Sequence, residues 1–89
     1  MSERQQRIEQ RLRTALAPEA LEIVDESHLH AGHEGAKSGG GHYAVTIVSP
    51  RFKGLDMLKR HRLVYEALGD MMLRDIHALS VRAFTPDEF

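Results

Sequence analysis

The stretch HYAVTIVSPRFKG, residues 42–54, decides the fold of this chain. Its first eight residues are rich in β-branched and aromatic side chains and have the length of a buried strand. Pro50 and Gly54 then mark a turn. The stretch therefore predicts a buried strand that passes through a short turn into the next element.

Downstream of the turn, the pattern predicts a long helix from about Leu55 to about Leu73. At about 100° per residue, one arc of this helix is apolar and the opposite arc is charged. The expected apolar arc holds Met57, His61, Val64, Tyr65, Leu68, Met71 and Met72, and the charged arc holds Asp56, Lys59, Arg60, Arg62, Glu66, Asp70 and Arg74. A third strand is predicted over residues 77–84, where Leu79 and Val81 are in phase.

Upstream of the buried strand, the pattern predicts a helix and a first strand. Ser2 and Gln5 have the spacing of a capping box, and apolar residues at helical spacing follow them. Pro18 is expected to end this helix. The segment ALEIVDE, residues 20–26, alternates as a strand, with Leu21 and Ile23 on one face.

The order of elements predicts an α+β fold with a three-stranded mixed sheet. The first two strands can pair as an antiparallel hairpin with a long loop. The second and third strands flank a helix and should be parallel, joined by a right-handed crossover. Both helices are expected on one face of the sheet, with the other face open unless a tail or partner covers it.

Composition narrows the class of protein. The 89 residues suit a single domain, residues 1–89, with 42% hydrophobic residues and a net charge of −1. No apolar run approaches the roughly 18 residues of a membrane span. The chain has no cysteine, which excludes a disulfide framework and a thiol nucleophile and is compatible with a cytoplasmic protein. No nucleophile–base or carboxylate pair stands out, so an enzyme is not expected.

Histidines are concentrated between Glu26 and His42, in a segment rich in glycine. His28, His30 and His33 offer nitrogen ligands that suit zinc, copper or iron. A plain solvated loop and a solitary zinc-binding module are both open interpretations, although no recognised zinc pattern accompanies the histidines. Iron–sulfur clusters are held mainly by thiolates, so a cluster on this chain would need sulfur from another molecule.

Three further histidines and a basic cluster are candidates on spacing alone. His77 opens the third strand and is either a ligand or a strand-end residue, His61 is expected to pack in the core, and His42 has no special claim. The turn and the first half of the long helix carry a local basic cluster, which either meets phosphate through its side chains and the helix N-terminus or is a solvated surface. Its members are Arg51, Lys53, Lys59, Arg60 and Arg62.

The segments VDESHLHAGHEGAKSGGGHYAVTIVSPRFKG, LKRHRLVYEAL and IHALSVRAFTPDEF resemble the BolA family over nearly the whole chain. The resemblance implies a K-homology-like fold of the second type, in agreement with the order of elements. It also implies partnership with a monothiol glutaredoxin, in which a [2Fe-2S] cluster bridges the two proteins. Glutaredoxin and its glutathione would supply the sulfur ligands, and the isolated chain would hold no stable cluster.

On this resemblance, the histidine ligands fall on His77 and on a loop histidine. His30 is the most natural loop ligand, with His33 and His28 as nearby alternatives. Some bacterial members of the family bind DNA as regulators of stress response and morphology, which here would use the basic cluster. No membrane and no small-molecule substrate are implied.

Overall fold

A computed structural model of the chain describes residues 2–27 and 41–89. Helix α1 spans Glu3–Leu16, strand β1 Ala20–Asp25 and strand β2 Gly41–Val48. A 3₁₀ turn at Pro50–Phe52 leads into helix α2, Met57–Leu68, which is followed by the short helix α3, Met71–Arg74. Strand β3, Ile76–Phe84, and a second 3₁₀ turn, Pro86–Glu88, complete the described elements.

The three strands form one mixed sheet in the order β1-β2-β3. β1 and β2 are antiparallel, with Ile23 opposite Val45, whereas β2 and β3 are parallel, with Val45 opposite Val81. The predicted hairpin and the predicted parallel pairing are both confirmed. The connection from β2 to β3 runs through α2 and α3. Neighbouring parallel strands need such a long crossover connection.

One hydrophobic core lies between the helices and one face of the sheet. Alternate residues of β2 point into it, which is why Tyr43, Val45 and Ile47 are buried while Ala44 and Thr46 are only half-buried. The other buried members of the cluster are Ile8, Leu12, Leu16, Phe52, Val64, Leu68, Met71, Ile76 and Ala83. At the end of β3, the ring of Phe89 lies 5.5 Å from that of Phe84, although Phe89 is 74% exposed.

Helix α1 begins and ends where the sequence predicts, but its capping differs. Ser2 Oγ accepts a hydrogen bond from the Gln5 backbone N–H, which is half of the expected capping box. The side chain of Gln5 instead donates to the carbonyl of Ile23 on β1. Gln5 therefore takes part in the cap at the start of α1 through its backbone N–H and links α1 to β1 through its side chain.

The predicted long helix is interrupted, so its single span to Leu73 is wrong. α2 ends at Leu68 because Gly69 adopts a positive φ of 54°, which glycine tolerates and other residues rarely adopt. Arg11 of α1 donates to the carbonyl of Leu68 at 2.6 Å and thereby satisfies a group that the helix leaves free. The chain resumes as α3 after Asp70.

The buried face of α2 is rotated from the predicted one. Arg60, Val64 and Leu68 form the buried line at i, i+4 spacing, whereas Met57 and Tyr65 are 54% and 39% exposed. Placing Arg60 on the solvent-facing arc was therefore wrong. Periodicity treats arginine as polar, but a guanidinium with enough hydrogen-bond partners can be buried.

Within the described residues, no helix is both long and apolar enough to cross a membrane.

Candidate functional site

Strand β3 begins with a β-bulge that determines where His77 lies. Gly41 of β2 pairs with Ile76, but the next residue, His42, pairs with Ala78, so His77 is an extra residue on β3. Ile76 is buried in the core, while His77 and Ala78 are both exposed. Bulges redirect side chains in this way and are frequent next to functional sites. The bulge leaves the imidazole of His77 accessible at the start of the strand.

His42 is the direct neighbour of His77. The centroids of the two rings are 4.9 Å apart, and the ring planes are tilted by 48°. His42 is only 7% exposed, whereas His77 is exposed. The two residues meet because His42 belongs to the face of β2 that points away from the core, the side on which the bulge leaves His77. Two imidazoles therefore lie together at one end of the sheet.

The histidine-rich segment is attached at this same end. His28, His30 and His33 lie outside the described residues. The residues that flank the segment are held next to His42: its backbone N–H donates to Ser27 Oγ at 3.0 Å, and its carbonyl accepts from Glu26 N–H at 2.8 Å.

The assignment of His30 as a loop ligand stays a prediction.

The described residues do not hold a complete metal site. Among residues 2–27 and 41–89, no three His, Cys, Asp or Glu side chains are grouped so that they could bind a metal ion. The whole sequence has no cysteine. Any metal bound at His77 thus needs further ligands from residues 28–40 or from another molecule. The histidines of this chain could supply the nitrogen ligands of an iron–sulfur cluster whose sulfur ligands come from another molecule.

His42 is the site residue that sequence reasoning missed. It was given no role because it merely opens a strand. β2 and β3 each carry a histidine as their second residue, and parallel pairing brings the starts of the two strands to the same edge, but the contact of the two rings depends on the bulge. His61, in contrast, is half-buried on α2, with its ring 6.4 Å from that of Tyr65.

The basic cluster is smaller than predicted. Four of its members are exposed: Arg51, Lys53, Lys59 and Arg62. Arg60 is 8% exposed, and each of its three guanidinium nitrogens donates a hydrogen bond. Its guanidinium donates to the carbonyls of Leu55 and Ala83 and to both carboxylate oxygens of Glu88. This pairing raises the pKa of Arg60 and lowers that of Glu88 to about 2. Arg60 therefore belongs to the internal hydrogen-bond network that joins α2, β3 and the C-terminal turn.

The N-terminus of α2 is already occupied by a carboxylate. Asp56 Oδ1 accepts from Lys59 N–H at 2.9 Å and caps the helix. A phosphate at this position would meet the negative charge of Asp56 and would have to compete for the same N–H group. Binding of nucleic acid here would therefore depend on the four exposed cations, Arg51, Lys53, Lys59 and Arg62.

Known proteins are similar to this chain in sequence and in fold. Residues 12–88 match the family described as BolA-like protein. The chain is 40% identical over 84 residues to the DNA-binding transcriptional regulator BolA of Escherichia coli (strain K12), covering 94% of this chain and 77% of that protein. It is also 40% identical over 93 residues to SufE-like protein 1, chloroplastic/mitochondrial, of Arabidopsis thaliana.

The alignment with the SufE-like protein covers 99% of this chain but only 25% of that protein, so the similarity concerns one part of it. The solved BolA domain of SufE1 from Arabidopsis thaliana superposes with a TM-score of 0.89 at 42% identity, covering 100% of this chain and 99% of that domain. The alignments in sequence and in structure cover 99% and 100% of this chain, respectively. The chain belongs to the BolA-like protein family.

Proposed function

We propose that this BolA-like domain is a non-enzymatic adaptor that binds a monothiol glutaredoxin and contributes histidine ligands to a [2Fe-2S] cluster shared between the two proteins. The observation that carries the proposal is the position of His77. Its imidazole is exposed on a bulged strand, beside His42 and at the end of the sheet where the histidine-rich segment is attached. A rigid strand is a precise support for a ligand.

The ligand chemistry of the chain supports a shared site. Clusters of this kind are usually held by four thiolates, and histidine replaces some of them in known cases. This sequence has no thiolate to offer, so His77 and one loop histidine, His30 or its neighbours His33 and His28, would supply nitrogen. Glutaredoxin and glutathione would supply the sulfur. A bound cluster would provide one-electron chemistry and a transferable iron–sulfur unit, in trafficking, assembly or iron regulation in the cytoplasm.

Reconstitution with and without the partner tests this function. The chain and a monothiol glutaredoxin are mixed anaerobically with iron, sulfide and glutathione, and the product is examined by visible absorption and native mass spectrometry. We expect a coloured 1:1 complex with one [2Fe-2S] cluster. The chain alone, treated in the same way, should show no cluster absorbance. A stable cluster on the isolated chain, or no complex with any monothiol glutaredoxin, would contradict the proposal.

A second candidate function is DNA binding. It is favoured by the similarity to the Escherichia coli protein, whose name describes it as a DNA-binding transcriptional regulator. The exposed cations Arg51, Lys53, Lys59 and Arg62 form a local positive surface on a chain whose net charge is −1. Because the global charge does not attract DNA, binding would be weak and would depend steeply on salt.

Salt dependence measures this second function directly. Four phosphate contacts correspond to a log–log slope of about −3.6 for duplex DNA. Replacing the four exposed cations by alanine should flatten the slope measured by fluorescence anisotropy, whereas Arg82→Ala, at an exposed arginine on β3, is the matched control. Absence of binding at low salt would exclude the candidate, and an unchanged slope would place the DNA surface elsewhere.

A further inference from the structure

We propose that His42 is a positioning residue for His77: its buried ring packs against the imidazole of His77 and fixes the direction of the ligand. The proposal rests on the proposed function, because it concerns the ligand assigned there. It assigns a role to a residue that the sequence alone left without one. The evidence lies in the contact between the rings, in the bulge and in the hydrogen bonds that hold His42.

The bulge makes a positioning residue necessary. As the extra residue on β3, His77 has no directly opposite partner on β2, and its side chain is exposed. An exposed side chain samples several staggered rotamers unless a neighbour restricts it. The ring of His42, at a centroid distance of 4.9 Å, is the aromatic neighbour that the described residues provide. It removes part of the space that the imidazole of His77 would otherwise explore.

His42 itself is firmly held. Its N–H donates to Ser27 Oγ, and its carbonyl accepts from Glu26 N–H. The preceding residue, Gly41, donates its N–H to the carbonyl of Asp75, two residues before His77. Both histidines thus belong to one hydrogen-bonded frame, and His42 is 7% exposed. A residue fixed in this way can orient a mobile neighbour, whereas a solvated one cannot.

The tilt of the two rings is compatible with packing. Aromatic rings prefer offset or edge-to-face arrangements with centroids between about 4.5 and 7 Å. The observed centroid distance of 4.9 Å lies within this range, and the tilt of 48° differs from a face-to-face stack. Packing requires a flat ring but not an imidazole nitrogen. Phenylalanine should therefore replace His42, and leucine, which fills a similar space without a ring, should not.

The test compares His42→Phe with His42→Leu, with Thr46→Ala on the same strand and face as the control. In the isolated chain, NMR relaxation of the His77 ring measures its order. In the glutaredoxin complex, visible circular dichroism and the lifetime of the cluster measure its ligation. We expect His42→Leu to loosen the His77 ring and shorten the cluster lifetime about tenfold, the lower end for residues that orient metal ligands. His42→Phe and Thr46→Ala should behave like the parent chain.

Two results would overturn the proposal. If His42→Leu leaves both the order of the His77 ring and the cluster lifetime unchanged, His42 does not position it. If His42→Phe is as defective as His42→Leu while the amide spectra show both chains folded, packing of a ring is not the cause. Should the parent chain form no cluster with glutaredoxin, the proposed function fails, and the ring order of His77 in the isolated chain still decides whether His42 restrains it.

Discussion

Arg60 and Glu88 form a two-pronged ion pair that joins helix α2 to the 3₁₀ turn after β3, with Nη1 2.6 Å from Oε1 and Nη2 3.0 Å from Oε2. The same carboxylate accepts from the backbone N–H of Thr85, so it also caps the turn. Arg60 additionally donates to the carbonyl of Ala83 within β3. One guanidinium therefore connects the helix, the strand and the C-terminal segment.

Arg60→Ala should destabilise the fold although the residue was predicted to lie on the surface. The change leaves the buried carbonyl of Ala83 without this donor and removes the apolar part of the arginine side chain, which we expect to cost about 1–3 kcal/mol. Urea unfolding followed by circular dichroism measures the difference. Arg62→Ala, at an exposed position on the same helix, is the control and should change stability by less than about 0.5 kcal/mol. Equal effects of the two changes would contradict the structural role of Arg60.

The pair also predicts a dependence of stability on pH. Hydrogen bonds from Arg60 and Thr85 lower the pKa of Glu88 from its ordinary value of 4.5 to about 2. Because the folded pKa is below the unfolded one, the contribution of Glu88 is fully present above about pH 4.5 and is lost as pH falls towards 2. The stability advantage of the parent chain over Glu88→Gln should therefore shrink between pH 6 and pH 3. A constant difference over this range would show that the charge of Glu88 does not stabilise the fold.

Gly41→Ala should destabilise the start of β2. A Cβ atom at this position would lie 2.5 Å from Cε2 of Tyr43 and 2.8 Å from its Cζ and Oη. Since Tyr43 is buried, its ring cannot move aside without disturbing the core, and we expect a cost of about 1–3 kcal/mol. In a Tyr43→Leu background the penalty should be much smaller, because the clashing atoms are gone. Additive effects of the two changes in urea unfolding would refute the contact.

The strand pairing could be predicted from sequence because the signals are local. The β-branched run of β2 and the helix between β2 and β3 are enough to predict a buried strand with a parallel neighbour. The break at Gly69 was missed because an isolated glycine is compatible with a helix unless its φ is known. The burial of Arg60 was missed for another reason: its counter-charge, Glu88, is distant in sequence, and periodicity alone cannot identify it.

The position of His77 at the start of β3 could be predicted from the sequence, whereas its role as a ligand stays a prediction. His77 was singled out from its place at the start of β3, and the structure describes it there on a bulge. The bulge itself has no signature in the sequence, so the contact between His77 and His42 could not be derived from spacing. The burial of Arg60, which leaves four exposed cations in the basic cluster, likewise follows only from the tertiary contacts of its side chain.

The loop histidines should be partly interchangeable. His30 belongs to a glycine-rich segment, where fixing the backbone of a residue costs roughly 1–2 kcal/mol, and His28 and His33 are close enough in sequence to replace it. His30→Ala should therefore weaken the shared cluster or shift its spectrum without abolishing it. The double change His30→Ala with His33→Ala should lose what the single change retains, as measured by visible circular dichroism of the glutaredoxin complex. Loss of the cluster from His30→Ala alone would show that only one loop histidine can serve.

The shared-cluster proposal is tested most directly by the visible circular dichroism of the reconstituted glutaredoxin complex containing His77→Ala. The matched control is His61→Gln, which removes a histidine of α2 that lies outside the site. We expect His77→Ala to abolish the histidine-ligated spectrum and His61→Gln to retain it, with both chains folded by their amide spectra. A parent-like spectrum and cluster lifetime in the His77→Ala complex would contradict the central claim and would reduce His77 to a strand-end residue.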